Sequence, residues 1–156
     1  MAKLDANIGD LETHADEIRA ELRVPKQNEV FAAAVEAGYL TALADGEVDK
    51  AEIAAIARAA EILSVGAVIE WEAETLVSEC VARAKKDTAA ARGEAVGVEL
   101  KKLGQGEAGI YFAALIARAS KGIDKKEADV LKAIGNAAGL TTDKVRAIVK
   151  KASFEK

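Results

Sequence analysis

One ten-residue stretch decides the fold: Ala44-Asp45-Gly46-Glu47-Val48-Asp49-Lys50-Ala51-Glu52-Ile53, here called the first acidic turn. It combines a glycine turn, a helix start and a dense group of carboxylates. The pattern recurs 75 residues later as Ala119-Ser120-Lys121-Gly122-Ile123-Asp124-Lys125-Lys126-Glu127-Ala128, the second acidic turn. A branched apolar residue, an Asp and a Glu keep the same spacing in both copies. The duplication predicts two copies of a helix-turn-helix unit.

Each acidic turn has the residues of a helix capping box. Asp49 precedes Glu52 by three positions, and Asp124 precedes Glu127 by the same distance. In a capping box the Asp side chain accepts a hydrogen bond from the amide three residues on, and the Glu reaches back to the Asp amide. The first turn also matches the second half of a calcium-binding EF-hand loop. Its first half lacks the required oxygen ligands, since Leu43 stands at one of these positions, so we do not predict an EF-hand.

The composition predicts an all-α protein. Hydrophobic residues make up 51% of the 156 residues, aromatic residues only 4%, alanine is abundant and proline occurs once. Strong helix formers dominate, and alternating β-branched patterns are rare. Neither a transmembrane segment nor a secretory signal is expected, because charged residues interrupt every apolar run. A single cysteine, Cys80, excludes an internal disulfide and favours a cytoplasmic location. The sequence shows no cation near Cys80, so we predict that it is a small buried hydrophobic residue.

Charge is unevenly distributed along the chain. Residues 1–80 carry a net charge of −11 and residues 81–156 carry +7. This polarity favours attraction within the chain, head-to-tail self-association or a protein partner that meets one face; an unevenly charged, solvated surface is the simpler alternative. Nucleic-acid binding is not expected, because the pI is about 5.2 and the basic half lacks interleaved aromatic residues.

Residues 1–24 are predicted to form a separate amphipathic helix, ended by Pro25, ahead of a helical domain at 25–156. The helix packs on the domain or dimerises, and direct membrane association is not expected because its polar face is acidic. A heptad seam defines it: Leu4, Ile8, Leu11, Ala15, Ile18 and Leu22.

Helical spacing then predicts seven further helices, at 27–44, 50–63, from Ser64 to 86, 88–103, 107–120, 125–138 and from Thr141 to 152. Gly93 and Gly97 weaken the fourth of these but permit a close helix crossing. The segment 104–109 spells G-x-G-x-x-G, which marks a dinucleotide site only after a β-strand. Here helical spacing precedes it, so we predict a connection between helices. The exposed lysines of the basic half form a solvated face or, alternatively, a surface for an anion or acidic partner.

The sequence resembles the TerB-like family of tellurite-resistance proteins. The resemblance rests on residues 39–52, on residues 113–127 and on Ala138-Gly139-Leu140-Thr141, and it covers roughly residues 27 to 152. It implies a compact bundle of about seven helices in two pseudo-symmetric halves. It also implies a cytoplasmic protein linked to tellurite and other chemical stress, with no established enzymatic activity and an acidic site suspected of binding a metal.

The metal ligands that this resemblance suggests lie in the two acidic turns. If the turns converge, their carboxylates could hold Ca²⁺, Mg²⁺ or Mn²⁺. Asp49, Glu52, Asp124 and Glu127 are explained more simply as helix caps, whereas Asp45 and Glu47 are not needed for capping and are better metal candidates. Ser120 and Lys121 replace Asp45 and Gly46 in the second turn, which argues against a symmetric two-metal site.

Two functional hypotheses follow from the sequence. The first is a non-enzymatic stress-response module that binds a divalent cation or a partner protein through its acidic site. The second is a structural assembly domain that uses the N-terminal heptad helix and the oppositely charged halves. An enzyme is not expected. His14 and Cys80 are the only His and Cys, and the sequence places no base beside a nucleophile.

Overall fold

A computed structural model of the chain describes residues 9, 13, 27–45, 48–63, 70–120 and 125–152. These residues form seven α-helices and contain no strand, which confirms the all-α prediction. The helices are α1 (Gln27–Ala42), α2 (Lys50–Leu63), α3 (Glu70–Lys86), α4 (Ala89–Leu103), α5 (Gly106–Ser120), α6 (Lys125–Ala137) and α7 (Thr142–Ala152), with a 3-10 turn at Leu43–Asp45.

Short capping signals set the helix ends close to the predicted positions. Thr88 caps α4, since its hydroxyl accepts a hydrogen bond from the Ala91 amide at 3.0 Å. Gly139 ends α6 in the left-handed region with φ 91°, as expected for a C′ glycine. Thr141 caps α7 by accepting from the Lys144 amide at 3.2 Å. The predicted helix of residues 1–24 and the segment 64–69 lie outside the described residues, apart from positions 9 and 13.

The glycine-rich segment 104–109 is a connection between two helices, as predicted. Gly104 has φ 71°, and the Gln105 amide donates to the Leu100 carbonyl at 3.1 Å, which closes the end of α4. Helix α5 begins immediately afterwards, at Gly106. The element ahead of the segment is therefore a helix, and the strand that a dinucleotide fingerprint requires does not occur there.

Helices α1 and α5 form the centre of the fold. Residues 33–42 of α1 and 109–117 of α5 are all buried. Among the described helices, α1 and α5 make the most extensive pairwise contact. A Cβ on Gly38 would lie 2.6 Å from Ile116 Cγ2, so glycine permits this close approach. Alanine lines this contact, with fully buried Ala34, Ala37, Ala42, Ala113, Ala114, Ala117 and Ala119.

The helices of the two predicted helix-turn-helix units are present, and neither turn is described completely. The first consists of α1 and α2, and the second of α5 and α6. The symmetry between the units remains a prediction, because residues 46–47 and 121–124 of the two turns lie outside the described residues. Among the described helices, none has both the length and the apolarity needed to cross a bilayer.

Candidate functional site

The first acidic turn contains the predicted capping box. The Glu52 amide donates to Asp49 Oδ1 at 2.7 Å, and the Asp49 amide donates to Glu52 Oε1 at 3.0 Å. Val48, which precedes Asp49, is partly buried against the core. Helix α2 begins at Lys50, directly after Asp49. The carboxylates of Asp49 and Glu52 therefore have a defined structural role, whether or not they also bind a ligand.

Asp45 and Glu47 supply the two carboxylates that capping does not need, and both carboxylates lie outside the described part of the structure. Asp45 ends the 3-10 turn, but its side chain is outside the description, as is all of Glu47. Asp124 in the second acidic turn also lies outside the described residues. Among the side chains that the structure does describe, no group of three or more His, Cys, Asp or Glu residues could hold a metal ion. The predicted metal site thus stays a prediction.

Glu127 differs from its counterpart in the first turn. Its side chain is buried, with 2% of the residue exposed, whereas Glu52 is half-buried at the surface. Glu127 shares the inward face of α6 with Leu131 and Ile134, which follow it at helical spacing. A buried carboxylate is less available to a cation arriving from solvent, so the first acidic turn is the better candidate for a binding site.

The 3-10 turn Leu43–Asp45, which overlaps the start of the first acidic turn, lies beside α6. It packs against this helix, which follows the second acidic turn. Leu43 and Ala44 line the same groove as Asp129 and Val130, which lie in the first turns of α6. The convergence of the two acidic turns stays a prediction, because residues 46–47 and 121–124 lie outside the described residues.

A buried ion cluster links α1, α3 and α4, and the sequence reasoning missed it. Glu36 is only 4% exposed. Its carboxylate accepts two hydrogen bonds from Arg92, at 2.7 and 2.9 Å, and one from Arg83 at 3.2 Å. The hydrogen bonds to Glu36 raise the pKa of Arg92 above its ordinary value. One signal was present in the sequence, because Glu36 is the only charged residue between positions 30 and 44.

Cys80 lies beside this ion cluster. The sequence reasoning found no cation near Cys80, and this was wrong, because an Arg83 guanidinium nitrogen donates to its sulfur at 3.6 Å. The conclusion drawn for Cys80 still holds, since the residue is fully buried. Burial, together with the Glu36 carboxylate, raises the pKa of the thiol to about 12 in spite of the opposing effect of Arg83. The thiol is therefore protonated at neutral pH and is a poor nucleophile.

We expect Cys80 to resist alkylation while the protein is folded. With a pKa of about 12, roughly one thiol in ten thousand is ionised at pH 8, against about a quarter of unperturbed thiols. Iodoacetamide should therefore label the folded protein about a thousand times more slowly than the chain in guanidinium chloride, as followed by intact-mass spectrometry. Equal rates in the two conditions would show that the thiol is exposed and ionised.

A comparison with protein families matches the beginning of the chain. The family described as "Tellurite resistance protein TerB" matches residues 1–73, which confirms the predicted resemblance to TerB-like proteins. The match contains the first acidic turn, and it also contains the predicted N-terminal helix, where the resemblance had not been expected. It does not reach the second acidic turn. Comparisons with curated proteins and with solved structures gave no match.

Proposed function

We propose, because residues 1–73 match the family described as "Tellurite resistance protein TerB", that this chain is a non-enzymatic stress-response module. Its first acidic turn binds a divalent cation such as Ca²⁺, Mg²⁺ or Mn²⁺, and a partner protein is the alternative ligand of the same surface. The first acidic turn lies inside the matched residues. The reducing cytoplasm is the proposed location, since the single cysteine is an unpaired, buried thiol.

The observation that supports this proposal most directly is the packing of the turn Leu43–Asp45 against α6. Asp45 belongs to this turn, and Asp129 of α6 lines the groove beside Leu43 and Ala44. Carboxylates from two parts of the chain therefore belong to neighbouring elements. Hard divalent cations bind carboxylate oxygens, and each carboxylate contributes one or two of them.

The capping box is compatible with cation binding. Capping uses Oδ1 of Asp49 and Oε1 of Glu52, each of which accepts one amide hydrogen. An ionised carboxylate has two oxygens and about four acceptor positions, so one amide hydrogen does not exhaust it. A cation near Asp45 and Glu47 would also gain from the acidic net charge of the N-terminal half of the chain.

The chemistry of the described residues supports a binding role over catalysis. A nucleophile needs an ionised or readily activated group, and the Cys80 thiol has a pKa of about 12. The buried carboxylate of Glu36 is engaged by two guanidinium groups, which suits a structural role. We therefore propose that the chain has no enzymatic activity.

Calorimetric titration of the metal-free protein with CaCl₂, MgCl₂ and MnCl₂ tests the cation. We expect binding by the wild type, and at least a tenfold weaker affinity, about 1.4 kcal/mol, in the variant Asp45→Asn with Glu47→Gln. The reason is that this variant removes two carboxylates that capping does not require. The helix-capping hydrogen bonds of Asp49 and Glu52 should be unaffected.

The matched control is Glu99→Gln with Asp143→Asn, which removes the same charge from exposed positions on α4 and α7. Its affinity should equal that of the wild type. If the wild type gives no binding heat with any of the three cations, the cation proposal is wrong. If both double variants lose affinity equally, binding reflects net charge and not a site at the first acidic turn.

A further inference from the structure

A cleft formed by the basic half of the chain suggests a second site. It lies between the end of α4, the start of α5, the turn after α6 and helix α7, and it has a volume of about 710 Å³. Cavities of roughly 300 to 1,000 Å³ commonly hold small molecules. We call this cavity the basic cleft, after the three lysines that line it: Lys101, Lys144 and Lys151.

The charges around the basic cleft favour an anion. Its lining contains three lysines and one acidic residue, Glu107. Glu107 pairs with Lys144 at 2.9 Å, but both side chains are more than half exposed, so the pair contributes little stability and is readily exchanged for another anion. The other two lysines of the lining, Lys101 and Lys151, come from α4 and α7. The lining therefore carries a net positive charge on more than one helix.

Backbone amides add to this preference. The first hydrogen bond of α5 runs from the Gly109 amide to the Gln105 carbonyl at 2.9 Å. The amides of Gly106, Glu107 and Ala108 precede it at the helix N-terminus, and all three residues line the cleft. The positive end of the helix dipole strengthens binding of a negative group there. These amides supplement the lysines, which already give the cavity its charge.

The remaining wall of the basic cleft is apolar. Tyr111, Leu140 and Ile148 line it, and the Lys151 ammonium lies 5.0 Å from the centre of the Tyr111 ring. The site thus combines a charged region with a surface suited to a planar or apolar group. Inorganic phosphate would use only the charged region and would leave most of the cavity unfilled.

We propose that the basic cleft binds a small organic phosphate, in which a phosphate monoester is joined to a planar or apolar body. The phosphate contacts Lys101, Lys151 and the amides at the start of α5, and the body lies against Tyr111. The glycine-rich segment 104–109 therefore contributes to an anion site in an all-helical setting, without the strand of a dinucleotide fold. This site is separate from the first acidic turn and does not depend on a cation there.

Adenosine monophosphate (AMP) is the probe, added to the full chain in the presence of EDTA and followed by calorimetry and amide NMR shifts. We expect binding, with the largest shifts at Gly106, Glu107 and Ala108. The double variant Lys101→Gln with Lys151→Gln should bind AMP at least about tenfold more weakly, because two charged contacts are lost. Glu107→Gln should bind AMP more tightly than the wild type, because a competing carboxylate is removed.

The controls separate a site from general attraction to positive charge. Lys125→Gln with Lys126→Gln removes the same charge from exposed positions on α6 and should leave the affinity for AMP unchanged. Adenosine and inorganic phosphate should each bind more weakly than AMP. The proposal is overturned if AMP does not bind, if the two lysine double variants lose affinity equally, or if adenosine binds as tightly as AMP.

Discussion

Replacing Arg92 by methionine is expected to destabilise the protein by about 3 kcal/mol. The substitution keeps an unbranched side chain but removes both hydrogen bonds at 2.7 and 2.9 Å to Glu36. The Glu36 carboxylate, whose side chain is 6% exposed, is then left with Arg83 at 3.2 Å as its remaining arginine partner. A buried charge that loses a partner keeps its desolvation cost. Urea unfolding followed by circular dichroism measures the loss.

Two further variants test the cause of this loss. Arg58→Met removes a surface pair with Glu61, and it should change stability by less than about 1 kcal/mol. Glu36→Leu combined with Arg92→Met should recover most of the loss, because an apolar pair of similar volume carries no desolvation cost. If Arg92→Met is as stable as the wild type, or if the double variant is no better than the single one, the cluster does not contribute as described.

Replacing Gly97 by alanine is expected to destabilise the protein by about 2 kcal/mol. Alanine would favour the helix by about 1 kcal/mol, but its Cβ would lie 2.5 Å from Ala137 Cβ and 2.6 Å from the Ile134 carbonyl oxygen. These atoms belong to α6 and cannot rotate away, so the two helices must separate. Overpacking of this kind typically costs about 1 to 3 kcal/mol and exceeds the gain in helix propensity. Thermal and urea unfolding measure the difference.

Gly93→Ala is the matched control on the same helix. There the new Cβ would meet only the Ile134 side chain, at 3.3 Å from Cγ1 and 3.7 Å from Cδ1. Because a side-chain end adjusts easily, we expect this variant to be unchanged or up to about 1 kcal/mol more stable. Equal stability of the Gly97 and Gly93 variants would contradict a close crossing of α4 and α6.

The helices could be predicted from the sequence because their ends are marked by local chemistry. Thr88, Gly104, Gly139 and Thr141 act through hydrogen bonds within a few residues, so their role follows from composition and spacing alone. The capping box of Asp49 and Glu52 is likewise complete within four residues. The TerB resemblance was also recognised in the sequence, although the family match extends to the N-terminus and ends at residue 73.

Contacts between distant residues could not be predicted in the same way. Arg83 and Arg92 lie 47 and 56 positions after Glu36, so the ion cluster depends on how α1, α3 and α4 pack. The isolated charge at Glu36 indicated a buried partner but could not name it. The different exposure of Glu52 and Glu127 also arises from packing, since their local sequences are alike. For Asp45, Glu47 and Asp124, the predicted metal role rests on sequence alone.

The alanine-rich contact between α1 and α5 affects how the protein tolerates substitution. Alanine has no rotamers to restrict, so its burial here costs no side-chain entropy. Its side chains also have almost nothing left to remove, and nearly every replacement at Ala34, Ala113 or Ala114 adds volume to a filled space. Most protein cores are destabilised chiefly by truncation of large side chains, whereas these alanine positions are sensitive to enlargement. At these three positions we therefore expect glycine and serine to be tolerated better than any larger residue.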